Sequence, residues 1–275
     1  MSSWFASLQN VLPQHGLSRA MGGLASSQVP WVKNTFINVF ANAYKISLDE
    51  AQANSFDEFA SFNDFFTRAL KDGARPIAEH DGAIVSPADG AVSQLGDIEQ
   101  GHLLQAKRHT YSLTSLAGQL APGFDQGTFC TIYLAPSDYH RVHLPFGGEL
   151  THTLAVPGEL FSVNNTTANS VTSLFARNER LVCRFETELG PMLVVLVGAM
   201  IVASIATDWL GPTSPYHEEE LNEHGLVYAK GDEIGRFLLG STVICCFPKG
   251  QVQLRDDLAP GSVLRMGEVL AERAR

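Results

Sequence analysis

Cysteine is scarce here: Cys130, Cys183 and the adjacent Cys245-Cys246 are the only four. None has the paired spacing of a zinc site, so they read as free thiols of a reducing cytosol. Basic residues are outnumbered, 19 Lys and Arg against 29 Asp and Glu, and the formal net charge of -10 excludes the basic footprint of a nucleic-acid binder. No G-x-S-x-G elbow is present, which weighs against a lipid hydrolase. The opening Met1-Ser2-Ser3-Trp4 lacks the basic start and long apolar run of a secretory signal. The longest uncharged run, Leu189 to Thr207, approaches the length of a spanning helix, but neither end has a Lys or Arg anchor and Gly198 interrupts it. Its Val, Ile and Leu suit two buried strands joined near Gly198-Ala199 better.

Acid is missing from one region in particular. Residues 1 to 48 contain Arg19, Lys33 and Lys45 and no Asp or Glu, so a +3 segment opens an otherwise acidic protein. Trp4, Leu8 and Val11 share one helical face, and Val32, Phe36 and Phe40 another. Spacing alone fits packing on the protein's own core equally well. The acid-free charge tips the expectation toward a membrane-surface helix.

With 275 residues, the chain can bury a full core. Ser47-Leu48-Asp49-Glu50 and Ser55-Phe56-Asp57-Glu58 have capping-box spacing, and Ser61-Phe62-Asn63-Asp64 resembles a third helix start. After Pro76 the pattern shifts to short β runs, including Thr128 to Leu134, Glu149 to Val156, Leu181 to Glu186 and Val243 to Phe247. The expectation is an α+β chain, with a helical, membrane-associating segment over 1–75 and a β-rich sandwich or barrel over 76–275.

Chemistry concentrates at Leu239-Gly240-Ser241-Thr242, where a Gly-Ser bond enters a β-branched run. Gly240 has no Cβ beside its carbonyl, so the Ser241 hydroxyl could swing back and convert the amide to an ester. Elimination and hydrolysis would then leave a pyruvoyl group. A Gly-Ser pair in a chain of 24 glycines also fits a plain turn. The spacing of Gly235 and Gly240 evokes a phosphate loop, but Ser241 stands where that loop needs Lys and no helix pattern follows. Two further segments carry reactive groups: Ser86-Pro87-Ala88-Asp89-Gly90, with a carboxylate in a turn, and Tyr139-His140-Arg141-Val142-His143, with two imidazoles three residues apart. An Asp, a His and a Ser can form a relay in any chain order. No adjacent Glu supports a metal site at the histidines.

In this order, these segments resemble the phosphatidylserine decarboxylase family. So do Phe62-Asn63-Asp64-Phe65-Phe66-Thr67-Arg68, Arg75-Pro76-Ile77, Leu104-Gln105-Ala106-Lys107, Phe161-Ser162-Val163-Asn164 and Phe175-Ala176-Arg177-Asn178-Glu179-Arg180. One departure is Arg108, where the family usually has Gly. The resemblance implies a proenzyme that cleaves between Gly240 and Ser241 into a β chain, 1–240, and an α chain, 241–275, which stay together as a heterodimer open to further dimerisation. It implies a self-cleavage triad of Asp89, which would hold an imidazole, His143 and Ser241, the last becoming the covalent pyruvoyl cofactor. Phosphatidylserine would condense with that group as a Schiff base, lose carbon dioxide and leave as phosphatidylethanolamine, with His140 donating the proton and Ser162 and Asn164 contacting the head group. No metal is implied. The expected location is peripheral, on the anionic cytoplasmic face of the cell membrane.

Overall fold

The computed structural model describes residues 21–106, 109–199, 205–213, 216–238 and 241–274. Trp4, Leu8, Val11, Arg108 and Gly240 therefore lie outside the described residues. Helix α1, Pro30–Tyr44, starts with Pro30 in its first turn and ends at Lys45, whose φ of 54° breaks the helical repeat. Of the stripe Val32, Phe36 and Phe40, the two phenylalanines do not form the outer face that the spacing suggested. Phe36 stacks on Phe62 with ring centroids 4.1 Å apart, and Phe40 meets Phe62, Phe65 and Phe66 edge-on. These phenylalanines come from α2, Phe62–Phe66, which Ser61 caps by accepting from the Asp64 amide. The apolar groups α1 turns outward include Trp31 and Val39, 75% and 63% exposed.

Ser55 likewise caps a 3-10 turn, Phe56–Glu58. Ser47 does not open a helix: its hydroxyl accepts from the Asp49 amide in a turn, and Ala51 bridges to Leu70. The residues of this capping box are drawn into a local turn and a tertiary contact instead.

Beyond Pro76 the chain is mostly strands: β1 Ala83–Val85, β2 Gly90–Asp97, β3 His102–Ala106, β4 His109–Ser112, β5 Thr128–Leu134, β6 Arg141–His143, β7 Gly148–Val156, β8 Arg180–Thr187, β9 Gly190–Val197, β10 Ile205–Thr207, β11 Gly211–Pro212, β12 Glu220–Tyr228, β13 Glu233–Phe237, β14 Ser241–Phe247, β15 Val252–Leu254, β16 Val263–Leu264 and β17 Val269–Arg273. Three short helices, α3 Leu113–Ala117, α4 Asn165–Ala168 and α5 Leu174–Arg177, interrupt them. Eight strands form one antiparallel sheet in the order β12-β7-β8-β9-β14-β5-β2-β16, and β11-β10-β13-β6 form a second. No pairing among the described residues joins β12 to β16, so the large sheet is open and not a barrel. The uncharged run from Leu189 divides between sheets, β9 in the large one and β10 in the small one.

All seven residues of β14 are buried, because core packs on both faces of the large sheet. Ile244 and Cys246 join a core closed by α3, α5 and the β3-β4 hairpin through Leu116, Phe175, Leu103 and Tyr111. Val243, Cys245 and Phe247 join another, closed by the small sheet through Val142, Ile205, Ile234 and Phe237. The four cysteines are all buried and unpaired.

Strand pairing brings the distant motifs together. Ser241 pairs with Leu134 in the large sheet, while Arg236 pairs with Arg141 in the small one. The end of β5 and the start of β6 therefore lie beside the start of β14 and the end of β13, respectively, and the Phe237 amide donates to the His140 carbonyl at 3.0 Å. Across β5, Ala91 pairs with Tyr133. Gly90 is required there, because a Cβ would collide with the Tyr133 carbonyl oxygen.

Candidate functional site

The Asp89 turn is fixed before any chemistry is considered. The Ser86 hydroxyl donates to the Ala88 carbonyl at 2.8 Å, and the Ser86 amide to the Glu268 carbonyl at 2.7 Å. Asp89 accepts from Arg75 through Nε at 2.8 Å and Nη2 at 2.5 Å, and from the Met266 amide at 2.9 Å. These contacts hold the carboxylate in a largely buried ion pair. Asp89 makes no hydrogen bond to either imidazole among the described residues, so the expected Asp-His contact is replaced by Asp89-Arg75. Its turn still meets His143, whose amide donates to the Pro87 carbonyl at 2.8 Å.

His143 takes its orientation from the backbone. Its Nδ1 lies 2.8 Å from the Gly231 carbonyl oxygen, which can only accept, so the proton sits on Nδ1 and Nε2 carries the lone pair. The Tyr139 hydroxyl donates to Nε2 at 3.0 Å, and the two rings stack. Burial pushes the His143 pKa down, while the Gly231 hydrogen bond and the charges of Glu233 and Asp89 partly oppose that shift. Asp89 thus reaches His143 through its field.

His140 is fully buried, with its ring 4.0 Å from that of Phe66. Its Nδ1 lies 2.9 Å from the Asp138 carbonyl and must donate, leaving Nε2 as a bare lone pair with no partner among the described residues. Burial, helped by the charge of Arg68, lowers its pKa to about 3. Arg68 itself donates to the Ser137 carbonyl at 2.8 Å. Both imidazoles are therefore neutral near pH 7; His140 Nε2 is bare, whereas His143 Nε2 accepts from Tyr139 and can act as a base only by giving up that bond.

Ser241 opens β14 with its hydroxyl buried and without a partner among the described residues, as does Thr242 beside it. A buried hydroxyl without a partner costs about 1–3 kcal/mol, so such groups call for a functional explanation. Neither imidazole hydrogen-bonds the Ser241 hydroxyl among the described residues; the groups that fit a pyruvoyl precursor are that hydroxyl, the glycine before it in the sequence, and the neutral imidazoles in the segment that follows β5. A cleft of about 700 Å³ opens beside Asp89, Tyr139, Arg68 and Lys45. His140, His143 and Ser241 are buried and do not line it.

Ser162 and Asn164 lie in the segment between β7 and α4. Asn164 donates to the Ser162 hydroxyl at 2.8 Å, and its Oδ1 caps α4 by accepting from the Thr167 amide at 3.0 Å. Neither lines the cleft. Arg75, Tyr139 and the Gly231 carbonyl are the groups that sequence reading missed. Tyr139 was legible, four residues before His143 in the same motif; the carbonyl has no side-chain signal.

Comparison with known proteins covers nearly the whole chain. A family profile described as Phosphatidylserine decarboxylase matches residues 62–272, and one described as PSD matches 4–45. Curated relatives named phosphatidylserine decarboxylase proenzyme include one from Alcanivorax borkumensis, 54% identical over 95% of this chain and 93% of that protein. Others come from Saccharophagus degradans, 50% identical over 98% and 96%, and Pseudomonas aeruginosa, 52% identical over 97% and 96%.

Proposed function

Because this chain belongs to the phosphatidylserine decarboxylase family, we propose that it is a decarboxylase of phosphatidylserine, made as a proenzyme that cuts itself between Gly240 and Ser241. The observation that carries the reading is the Ser241 hydroxyl, buried at the start of β14 beside the end of β5 and without a partner among the described residues. His143 Nε2 takes the proton from Ser241 Oγ as that oxygen attacks the Gly240 carbonyl carbon. The Gly240–Ser241 C–N bond breaks and the proton returns to the Ser241 nitrogen, giving an ester. Elimination releases 1–240 as a carboxylate and leaves dehydroalanine at 241. Water then replaces its nitrogen, released as ammonia, to give the pyruvoyl group. Asp89 contributes by fixing the turn on which His143 docks and by favouring the imidazolium formed during proton transfer.

Once formed, a pyruvoyl group supplies an electron sink for loss of carbon dioxide from an amino-acid head group. His140, neutral and bare at Nε2, takes up the proton that the substrate ammonium must lose and returns it to the substrate carbon. The Ser162 hydroxyl, oriented by Asn164, contacts the head group. The cut chains stay together as a heterodimer because β14, the first strand of the smaller chain, is paired on one edge to β5 and on the other to β9.

A lipid substrate calls for a membrane surface. No helix among the described residues is long and apolar enough to cross a bilayer. The exposed Trp31 and Val39 on α1, with the positive N-terminal segment, support peripheral attachment to the anionic cytoplasmic face of the cell membrane. The direct test is incubation of purified protein with phosphatidylserine vesicles. The expected product is phosphatidylethanolamine; release of fatty acid, or no product from protein already cut, would refute the decarboxylase reading.

A further inference from the structure

Two buried amides that the proposed chemistry does not use hold the segment carrying Ser162 and Asn164. Asn178 is fully buried, accepts from the Phe161 amide at 3.2 Å, and donates to both the Phe161 and Gly198 carbonyls at 2.8 Å. Gly198 follows Val197, the β9 partner of Thr242, so it occupies the row of the sheet that Ser241 enters. The Gly198 amide donates to the Glu179 carbonyl at 2.9 Å, completing that row. Gln105 closes the other end of the segment: it donates to the Ala168 and Val171 carbonyls at 2.8 and 2.7 Å, and accepts from the Leu174 amide at 2.7 Å.

From this geometry we infer that Asn178 is a positioning residue for lipid binding, and that it fixes the Phe161 to Asn164 stretch against the strand row of Ser241 so that the Ser162 hydroxyl meets the substrate head group. The inference rests on the proposed decarboxylase activity. An amide suits this task because it both donates and accepts, so one side chain locks a loop backbone to a strand end without introducing a charge. Phe161 is itself fully buried, so movement at Asn178 transmits directly to the next residue, Ser162. Asn178 contacts neither substrate nor reacting atoms; its effect passes through the loop.

The test uses the full chain with Asn178→Ala, Asn178→Asp and Gln105→Ala. Asp keeps the acceptor for the Phe161 amide but loses both donations. Hydrogen exchange followed by mass spectrometry should rise at 159–164 in both Asn178 variants, more in Ala than in Asp, and at 168–174 in Gln105→Ala, while exchange in β5 and β14 stays at the wild-type level. With phosphatidylserine vesicles, Asn178→Ala should still self-cleave and show KM raised roughly tenfold or more, the effect of about 1.4 kcal/mol lost from ground-state binding, with kcat changed far less. Unchanged KM with loosened 159–164 would overturn the positioning role. So would a general rise in exchange with parallel loss of cleavage and turnover, because that describes a merely structural residue. Should wild-type protein make no phosphatidylethanolamine, the decarboxylase reading itself fails, and exchange still reports whether Asn178 locks the loop.

Discussion

Buried polar groups of the protein follow two opposite patterns. At the junction of the two sheets, Ser241 Oγ, Thr242 Oγ1 and His140 Nε2 lack partners among the described residues. By contrast, Asn178 and Gln105 each satisfy three backbone groups, and the Arg180 guanidinium donates to the carbonyls of Leu116, Ala176, Asn178 and Ser115. Saturated groups define a single geometry and resist change. Unsatisfied ones sit in a cage whose walls are fixed by their neighbours, and their lone pairs remain available for proton transfer.

Substituting Ser241 should break this contrast most completely. Ser241→Ala removes the attacking hydroxyl and should leave the chain full length, while its melting temperature should not fall below that of the uncut wild-type chain, because an unpaired hydroxyl has been removed from the interior. Normal cutting of that variant, read on a denaturing gel, would place the reactive bond elsewhere. The two histidines come next. His143→Ala should accumulate precursor, whereas His140→Ala should cut measurably and then turn over roughly 10²-fold or more slowly, as expected when a general acid is lost. If His140→Ala blocks cutting while His143→Ala matures, their roles are exchanged.

A smaller effect comes from the saturated side. Gln105→Leu leaves the Ala168 and Val171 carbonyls and the Leu174 amide unpaired in the interior, and should cost roughly 3 kcal/mol in denaturant unfolding of an uncut Ser241→Ala background. No loss would mean that the segment is held by packing alone. The smallest effect concerns Glu179, whose burial raises its carboxyl pKa to about 7 although it accepts from the Tyr216 amide. Between the ordinary carboxylate range near pH 4.5 and about 7 the native state holds a proton that the unfolded state has released, so stability falls as pH rises through that window. Glu179→Gln should flatten this fall in melting temperature; an unchanged slope would assign it to other groups.

Much of the fold was legible because local patterning and tertiary packing agree. The strands around Thr128 to Leu134 and Val243 to Phe247 read correctly from β-branched runs, and β14 differs mainly in starting earlier, at Ser241. Disagreement arose where a tertiary partner decided the outcome. Phe36 and Phe40 looked like a lipid face until α2 supplied four phenylalanine-rich contacts to cover them. The Asp89-Arg75 pair could not be read from sequence, because both groups sit in irregular chain whose relative placement depends on the 265–268 loop. His143 looked as though it needed a carboxylate to set its tautomer; a backbone carbonyl does so, and every residue type has one.

The central claim is that this backbone reacts with itself at Gly240-Ser241, and the intact mass of purified wild-type protein under denaturing conditions tests it most directly. Two chains should appear, residues 1–240 and a 241–275 chain about 17 Da lighter than one starting with serine, the difference between an amino alcohol and a ketone terminus left by the covalent chemistry. A single full-length mass after prolonged incubation, or a 241–275 chain with a free serine amine, would contradict the account.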